Sequence, residues 1–352
     1  MDNVSLSIGG VEYSGWTSVL VRRSLDEFCS SFMLDLADTW HSSKNQIPFN
    51  AGDSCSIKVG KDLILTGYID EISVTSDSED HILSVLGRSK AGDLVDCSAI
   101  YKTGTFVNQT LVDIAKKICS PFGISAKTDV TGIGTIKKVS IQDGETCFDF
   151  LNRSAKMEGL LLTSTPSGDV LFTRAGRSKR SFTISSTTNA IKCEYTDNKK
   201  DVFSSYIFKG QTLTGEEYRG KNYKPKASAS DALTKRYRPI IIQAESQAEN
   251  ARLSVRAKWE RNVRRSQAKK IAYTIPGWRE NGVLWDINSL VSVADPILGI
   301  EDTLLIASVE LSLDESGTKT TLELVHPNAY SIFTLGAEKA KKKKSGSILG
   351  PL

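Results

Sequence analysis

The run Cys55-Ser56-Ile57-Lys58-Val59, followed after a short turn by Gly67-Tyr68-Ile69-Asp70-Glu71-Ile72-Ser73-Val74, decides the fold of the first third of the chain. Apolar residues fall on every second position, so successive side chains point to opposite faces of a strand and one face is greasy. Val4, Leu6 and Ile8 alternate upstream, and so do Phe32, Leu34 and Leu36. With few helices available to cover these faces, the sheet over residues 1–90 is expected to close or fold on itself as a barrel-like β domain.

The texture changes at about residue 91. Leu111, Ile114, Ala115 and Ile118 recur at helical spacing and stop before Ser120-Pro121-Phe122-Gly123. Phe148, Leu151 and Ala155 line a second helix over 145–157, which Gly159 ends. Residues 160–164 pair plausibly with 170–174 across Pro166-Ser167-Gly168-Asp169, making 91–176 a small α+β domain.

Strand patterns resume over 177–335, at Phe182 and Ile184, at 191–195 and at 203–210. Residues 211–237 are polar and read as a long loop, which inside a domain is usually functional. Arg238-Pro239-Ile240-Ile241-Ile242 is a short strand, and a helix is expected over 245–268 with Ala248, Ala251, Val255 and Trp259 as its apolar stripe. Strands at 273–278, 283–285 and 291–293 follow, then a hairpin of 304–313 with 320–325. The fold class is therefore mainly β with α+β: two β-barrel-like domains, a small α+β domain, a late inserted helix, and a flexible Lys-rich tail at 336–352. Two β blocks suggest an internal duplication, although no fixed-period repeat stands out.

The 352 residues are 39% hydrophobic and 24% charged, enough apolar material for real cores. The net charge of +4 belongs to the tail, where five lysines, Lys341 to Lys344 among them, face Glu338, leaving forty basic and forty acidic residues in the body. A neutral body argues against a dedicated duplex-DNA binder. No stretch is long and apolar enough for a membrane span, and the start lacks the pattern of a signal peptide. Six widely spaced cysteines read as reduced core residues of a chain folded in the cytosol.

Chemistry is scarce. His41, His81 and His326 stand apart from one another and from the cysteines, with no metal-ligand spacing, and His326 before Pro327 reads as a turn residue. There is no nucleophile elbow, P-loop or dinucleotide fingerprint. The sequence assigns no catalytic, cofactor-binding or metal residues. Its strongest charge feature is the 245–268 helix, with Arg252, Arg256, Arg261, Arg264 and Arg265 as candidate interface residues and an Arg256/Glu260 pair expected at i,i+4.

Several segments together resemble the baseplate hub proteins of phage Mu and its prophage relatives, counterparts of the central hub in T-even contractile tails. They include Tyr13-Ser14-Gly15-Trp16-Thr17-Ser18, Thr66-Gly67-Tyr68-Ile69-Asp70, Arg236-Tyr237-Arg238-Pro239, Gly277-Trp278 and Gly282-Val283-Leu284-Trp285. The most telling is Gly87-Arg88-Ser89-Lys90-Ala91-Gly92-Asp93-Leu94-Val95-Asp96-Cys97-Ser98-Ala99, which is similar to the family's junction between its first β domain and its α+β domain. The resemblance implies a non-enzymatic homotrimer in the virion tail baseplate, assembled in the host cytoplasm. It implies a tail tube or tube-adaptor protein, a spike protein and other baseplate proteins as partners, with DNA as transient cargo through a lumen. Two alternatives stay open: a cell-wall-binding or peptidoglycan-hydrolysing tail protein working through 91–176, and a nucleic-acid binder working through the 245–270 helix.

Overall fold

The computed structural model describes residues 3–37, 48–76, 81–176, 178–210, 225–243 and 250–331. The two β blocks join one thirteen-stranded sheet. From its outer edge at Lys192–Asp197 the order runs through Lys269–Pro276, Gly317–Val325 and Ile300–Asp314 to Ser18–Ser24. It continues through Ser31–Ala37, His81–Ser89, Asp62–Ser76, Ser54–Val59 and Val4–Ile8 to Val11–Tyr13. Ser289–Asp295 lies against the first half of Ile300–Asp314 and carries Ser178–Ile184 in parallel.

The two blocks meet where Ser18–Ser24 runs antiparallel to the second half of Ile300–Asp314, with Val19, Val21 and Arg23 opposite Leu313, Leu311 and Val309. The alternating apolar faces of both blocks are buried in a common core, which takes Leu34, Ile57 and Val85 from the first and Tyr273, Val291 and Leu322 from the second. Burial on both sides of that join makes one folding unit of chain segments far apart in sequence.

The duplication is plain in the geometry. Asp62–Ser76 with His81–Ser89, and Ile300–Asp314 with Gly317–Val325, are each a fifteen-residue strand paired with a nine-residue one. Both have a bulge at the same point, after Ile69 and after Ile306. The pairs Ile69–Gly87 and Ile306–Leu324 lie a constant 237 positions apart. Next to each hairpin stands an equivalent strand, Ser31–Ala37 or Lys269–Pro276, and beyond it Ser18–Ser24 or Lys192–Asp197.

Residues 91–174 hold three helices: α1 (Ala91–Asp96), α2 (Leu111–Cys119) and α3 (Cys147–Met157). Thr110 and Thr146 cap α2 and α3, their hydroxyls accepting from Asp113 N at 3.2 Å and Asp149 N at 3.1 Å. Leu161–Ser164 pairs with Val170–Thr173, and Ala126–Thr128 adds alongside in parallel. Phe106, Ile114, Phe150, Leu151 and Phe172 form this unit's core. Helix α1 and the ladder of Thr105–Thr110 with Thr135–Ser140 lie outside the sequence reading, because each is short and carries too few apolar residues to show a period.

A third unit stands within the second β block. Ser205–Lys209 lies between Lys226–Ser230, antiparallel, and Pro239–Gln243, parallel, and α4 (Asn250–Gln267) packs on the first two. This corrects the reading of 211–237 as a loop: Lys226–Ser230 is a strand, while 211–224 lie outside the described residues. Its inward residues are only Ala227 and Ala229, too small to register as an apolar alternation. Residues 245–249 of the expected helix and the 336–352 tail also lie outside the described residues.

One residue ties the β blocks to the α+β unit. Arg23, 9% exposed, sits on the strand at the join, pairs with Asp286 of the second block and donates to Ser164 O of the α+β unit at 3.1 Å. The Gly87–Ala99 segment makes a second tie. Arg88 reaches Asp70 at 2.7 Å and Asp96 at the end of α1 at 2.8 Å. At Gly87 a Cβ would fall 2.5 Å from the Phe32 ring and 2.2 Å from Tyr68 O, so only glycine allows that ring and strand to close up.

Candidate interface surfaces

Helix α4 is held on two sides. Leu253 and Ala257 are buried with Phe208 and Ala229 of the small sheet. The Trp259 indole N–H donates to Ser331 O beside the turn Pro327–Tyr330. The expected stripe is therefore displaced: Leu253, Ala257 and Val263 are the buried positions, while Val255 and Trp259 are half-buried. Ala248 and the side chain of Ala251 lie outside the described residues. A helix contacted by a sheet on one flank and a turn on the other buries two narrow strips, which a single-stripe reading cannot locate.

Four of the five candidate arginines serve contacts within the chain. Arg265 grips the fully buried carboxylate of Asp231 with two N–H groups. Burial pulls the Asp231 carboxyl upward, but the Arg265 fork and the Leu233 N–H hold it below the usual range. Arg264 donates to Glu260 at 2.7 Å and lies over Phe203. Arg261 donates to Ser230 O at 3.1 Å. The expected Arg256/Glu260 pair does not form, because Arg256 stacks 4.5 Å over the Trp259 ring and Glu260 takes Arg264, the favoured order of acid before base along a helix. The side chain of Arg252 lies outside the described residues.

What this unit offers outward is different. Tyr237 is 90% exposed, Leu233 62% and Ile241 59%, flanked by exposed Lys235 and Arg236. Isolated apolar residues in a polar stretch gave no periodic signal, and only the Arg236-Tyr237-Arg238-Pro239 resemblance touched them. Residues 198–270 hold eighteen Lys and Arg against seven Asp and Glu, a net +11, so the other residues up to 335 sum to −11. The neutral body is a cationic unit set on an anionic one.

The remaining candidates are structural. His326 caps the last turn, its Nδ1 accepting from Asn328 N at 3.1 Å. His41 and the side chain of His81 lie outside the described residues. Cys55, Cys119 and Cys147 are buried, and desolvation pushes their thiols up to about 12, 12 and 11. Cys97 is exposed, a correction to the reading of every cysteine as core, since it sits just past the end of α1. Phe150 is fully buried, and Phe122 and Phe148 pack against the same core. Among the described residues no cluster of three His, Cys, Asp or Glu is placed to hold a metal, and no helix is long and apolar enough to cross a membrane.

The class of protein comes from comparison with known proteins, whose matches along the chain are to phage tail baseplate proteins. Residues 3–89 match the family model of the Mu phage baseplate assembly protein GpP-like N-terminal domain. Residues 91–174 match the second domain of gp44-like baseplate hub proteins, and 249–332 the fourth domain of GpP. The chain is 30% identical to the baseplate hub protein gp44 of Escherichia phage Mu over 98% of its own length and 92% of that protein's. Its fold matches the 43 kDa tail protein of prophage MuSo2 from Shewanella oneidensis with a TM-score of 0.85, 33% identity and coverage of 94% and 100% of the two chains. It also matches a tail protein of Neisseria meningitidis MC58, TM-score 0.81 and 23% identity, over 94% and 98%. The chain belongs to the Mu-like family of baseplate hub proteins, structural components of the phage tail baseplate.

Proposed function

We propose that this protein is a homotrimeric, non-enzymatic central hub of a contractile-tail baseplate. It joins a hexameric tail tube, or a tube adaptor, to a trimeric spike among other baseplate proteins, and DNA crosses its lumen only as transient cargo. The duplicated hairpin carries this reading: two similar β units in each chain become six in a trimer, so one ring can present near-sixfold contacts to a tube and threefold contacts to a spike. Residues 1–90 and 177–335 supply the ring, and 91–176 stand at its periphery. The cationic unit at 198–270 faces protein neighbours, not the DNA path, since a channel must not hold a moving polyanion. The chain assembles in the host cytoplasm.

The test is native mass by light scattering across a concentration series, with end-on particle averages. A mass near three times 38.5 kDa and a ring with a central hole are expected. A monomer at every concentration overturns the trimer.

A further inference from the structure

The join between the two β blocks has an unused counterpart. Inside the chain, Val19 and Val21 lie opposite Leu313 and Leu311. The repeat maps Ser18–Ser24 onto Lys192–Asp197: Val19 pairs with Leu34 and that with Val85, while Cys193 pairs with Tyr273 and that with Leu322. Val85 and Leu322 are equivalent positions of the two hairpins, as are Val74 and Leu311, and Ser76 and Leu313. Two strand edges are thus left without the neighbour that their counterparts have. Among the described residues, Lys192–Asp197 is bonded only to Lys269–Pro276, and residues 71–76 only to His81–Ser89.

We propose that these edges pair between copies: Lys192–Asp197 of one chain adds antiparallel to residues 71–76 of the next, with Tyr195 opposite Val74 and Cys193 opposite Ser76. Burial supports the pairing. At the join within the chain, Val21 and Leu311 are 1% and 3% exposed, whereas their equivalents Tyr195 and Val74 are 45% and 59% exposed. An aromatic residue facing a β-branched one is a favourable cross-strand pair, and an open edge with apolar positions invites another strand. The contact is head-to-tail, so each added copy repeats the step already taken inside the chain and the series ends only by closing. The inference rests on the trimer reading for where it closes and on the repeat for which strands meet.

The test uses the full chain with its native Cys193. Ser76→Cys under copper phenanthroline in air is expected to yield covalent dimers and a covalent trimer on non-reducing gels. Adding Cys193→Ser is expected to abolish them, and Thr75→Cys, which places the thiol on the opposite face, is expected not to link. Light scattering on the same samples separates the two readings. A trimeric Ser76→Cys protein that forms no link through Cys193 overturns this pairing and leaves the trimer standing, and a monomer overturns both. Independently, Val74→Asp, at an exposed position, is expected to give a monomer with an unchanged circular dichroism spectrum, and persistence of the trimer there overturns the pairing.

Discussion

Asp295 is buried at 2% exposure, yet it accepts four hydrogen bonds: from Tyr273 Oη at 2.8 Å, Ser186 N at 3.0 Å, Ile297 N at 3.0 Å and Leu298 N at 3.1 Å. Desolvation pulls its carboxyl upward, but the donors win and hold it at about 2. Because the folded value lies below the ~3.9 of an unfolded aspartate, the stabilisation is present above pH ~4 and fades as pH falls toward 2. It is on the order of 2–3 kcal/mol. Urea melts at pH 7 and pH 3 check this: the wild-type chain loses part of that increment at the lower pH, and Asp295→Asn, weaker at pH 7, shows a flatter dependence. Tyr273 is pushed upward by the same burial and by the carboxylate it serves, so its hydroxyl stays a donor.

At the scale of elements, the small sheet and α4 depend on Asp231, which closes Lys226–Ser230 onto Arg265 of α4. Asp231→Ala removes a buried acceptor but leaves Arg265 a third exposed, so a cost of about 2–3 kcal/mol is expected, between that of a surface pair and that of a buried one. Hydrogen exchange checks it: protection falls in Ser205–Lys209, Lys226–Ser230, Pro239–Gln243 and α4 and stays unchanged in 91–174. These elements also show what a sequence can display. The alternation of Cys55, Ile57 and Val59 and the helical spacing of Leu111, Ile114 and Ile118 and of Phe148, Leu151 and Ala155 are local signals, and the strands and helices they announce are present. Lys226–Ser230 was hidden because alanines carry little apolar signal, and the Arg265–Asp231 grip because its partners lie 34 positions apart. The duplication was suggested by the two β blocks, but its register was hidden because Val74 and Leu311, or Gly87 and Leu324, share a place in the fold without sharing a residue type.

For the whole molecule the decisive feature is the single core shared by both ends of the chain. Arg23 sits where both β blocks and the α+β unit meet, so Arg23→Ala takes the guanidinium from Ser164 O and from Asp286, which keeps the Ile287 N–H, and opens a gap between units. With Asp286 partly solvated, a loss of about 2–4 kcal/mol is expected. In calorimetry the sheet transition should move down as one peak, whereas separate β domains would split and leave one half unmoved. Family membership was legible because it is spread over segments in the right order. The Arg256/Glu260 pairing was not, since Glu260 takes Arg264 and Arg256 lies over Trp259 instead.

The same join sets a timetable for synthesis. Ser18–Ser24 waits for a partner 285 positions further on, and at bacterial rates of about 5–20 residues per second the ribosome takes roughly 15–60 s to deliver it. Throughout that interval the nascent chain shows an apolar strand edge, the kind that sticks to other chains. Neighbouring ribosomes on one message would bring several such edges together, so production of this protein at high yield depends on how well that wait is guarded.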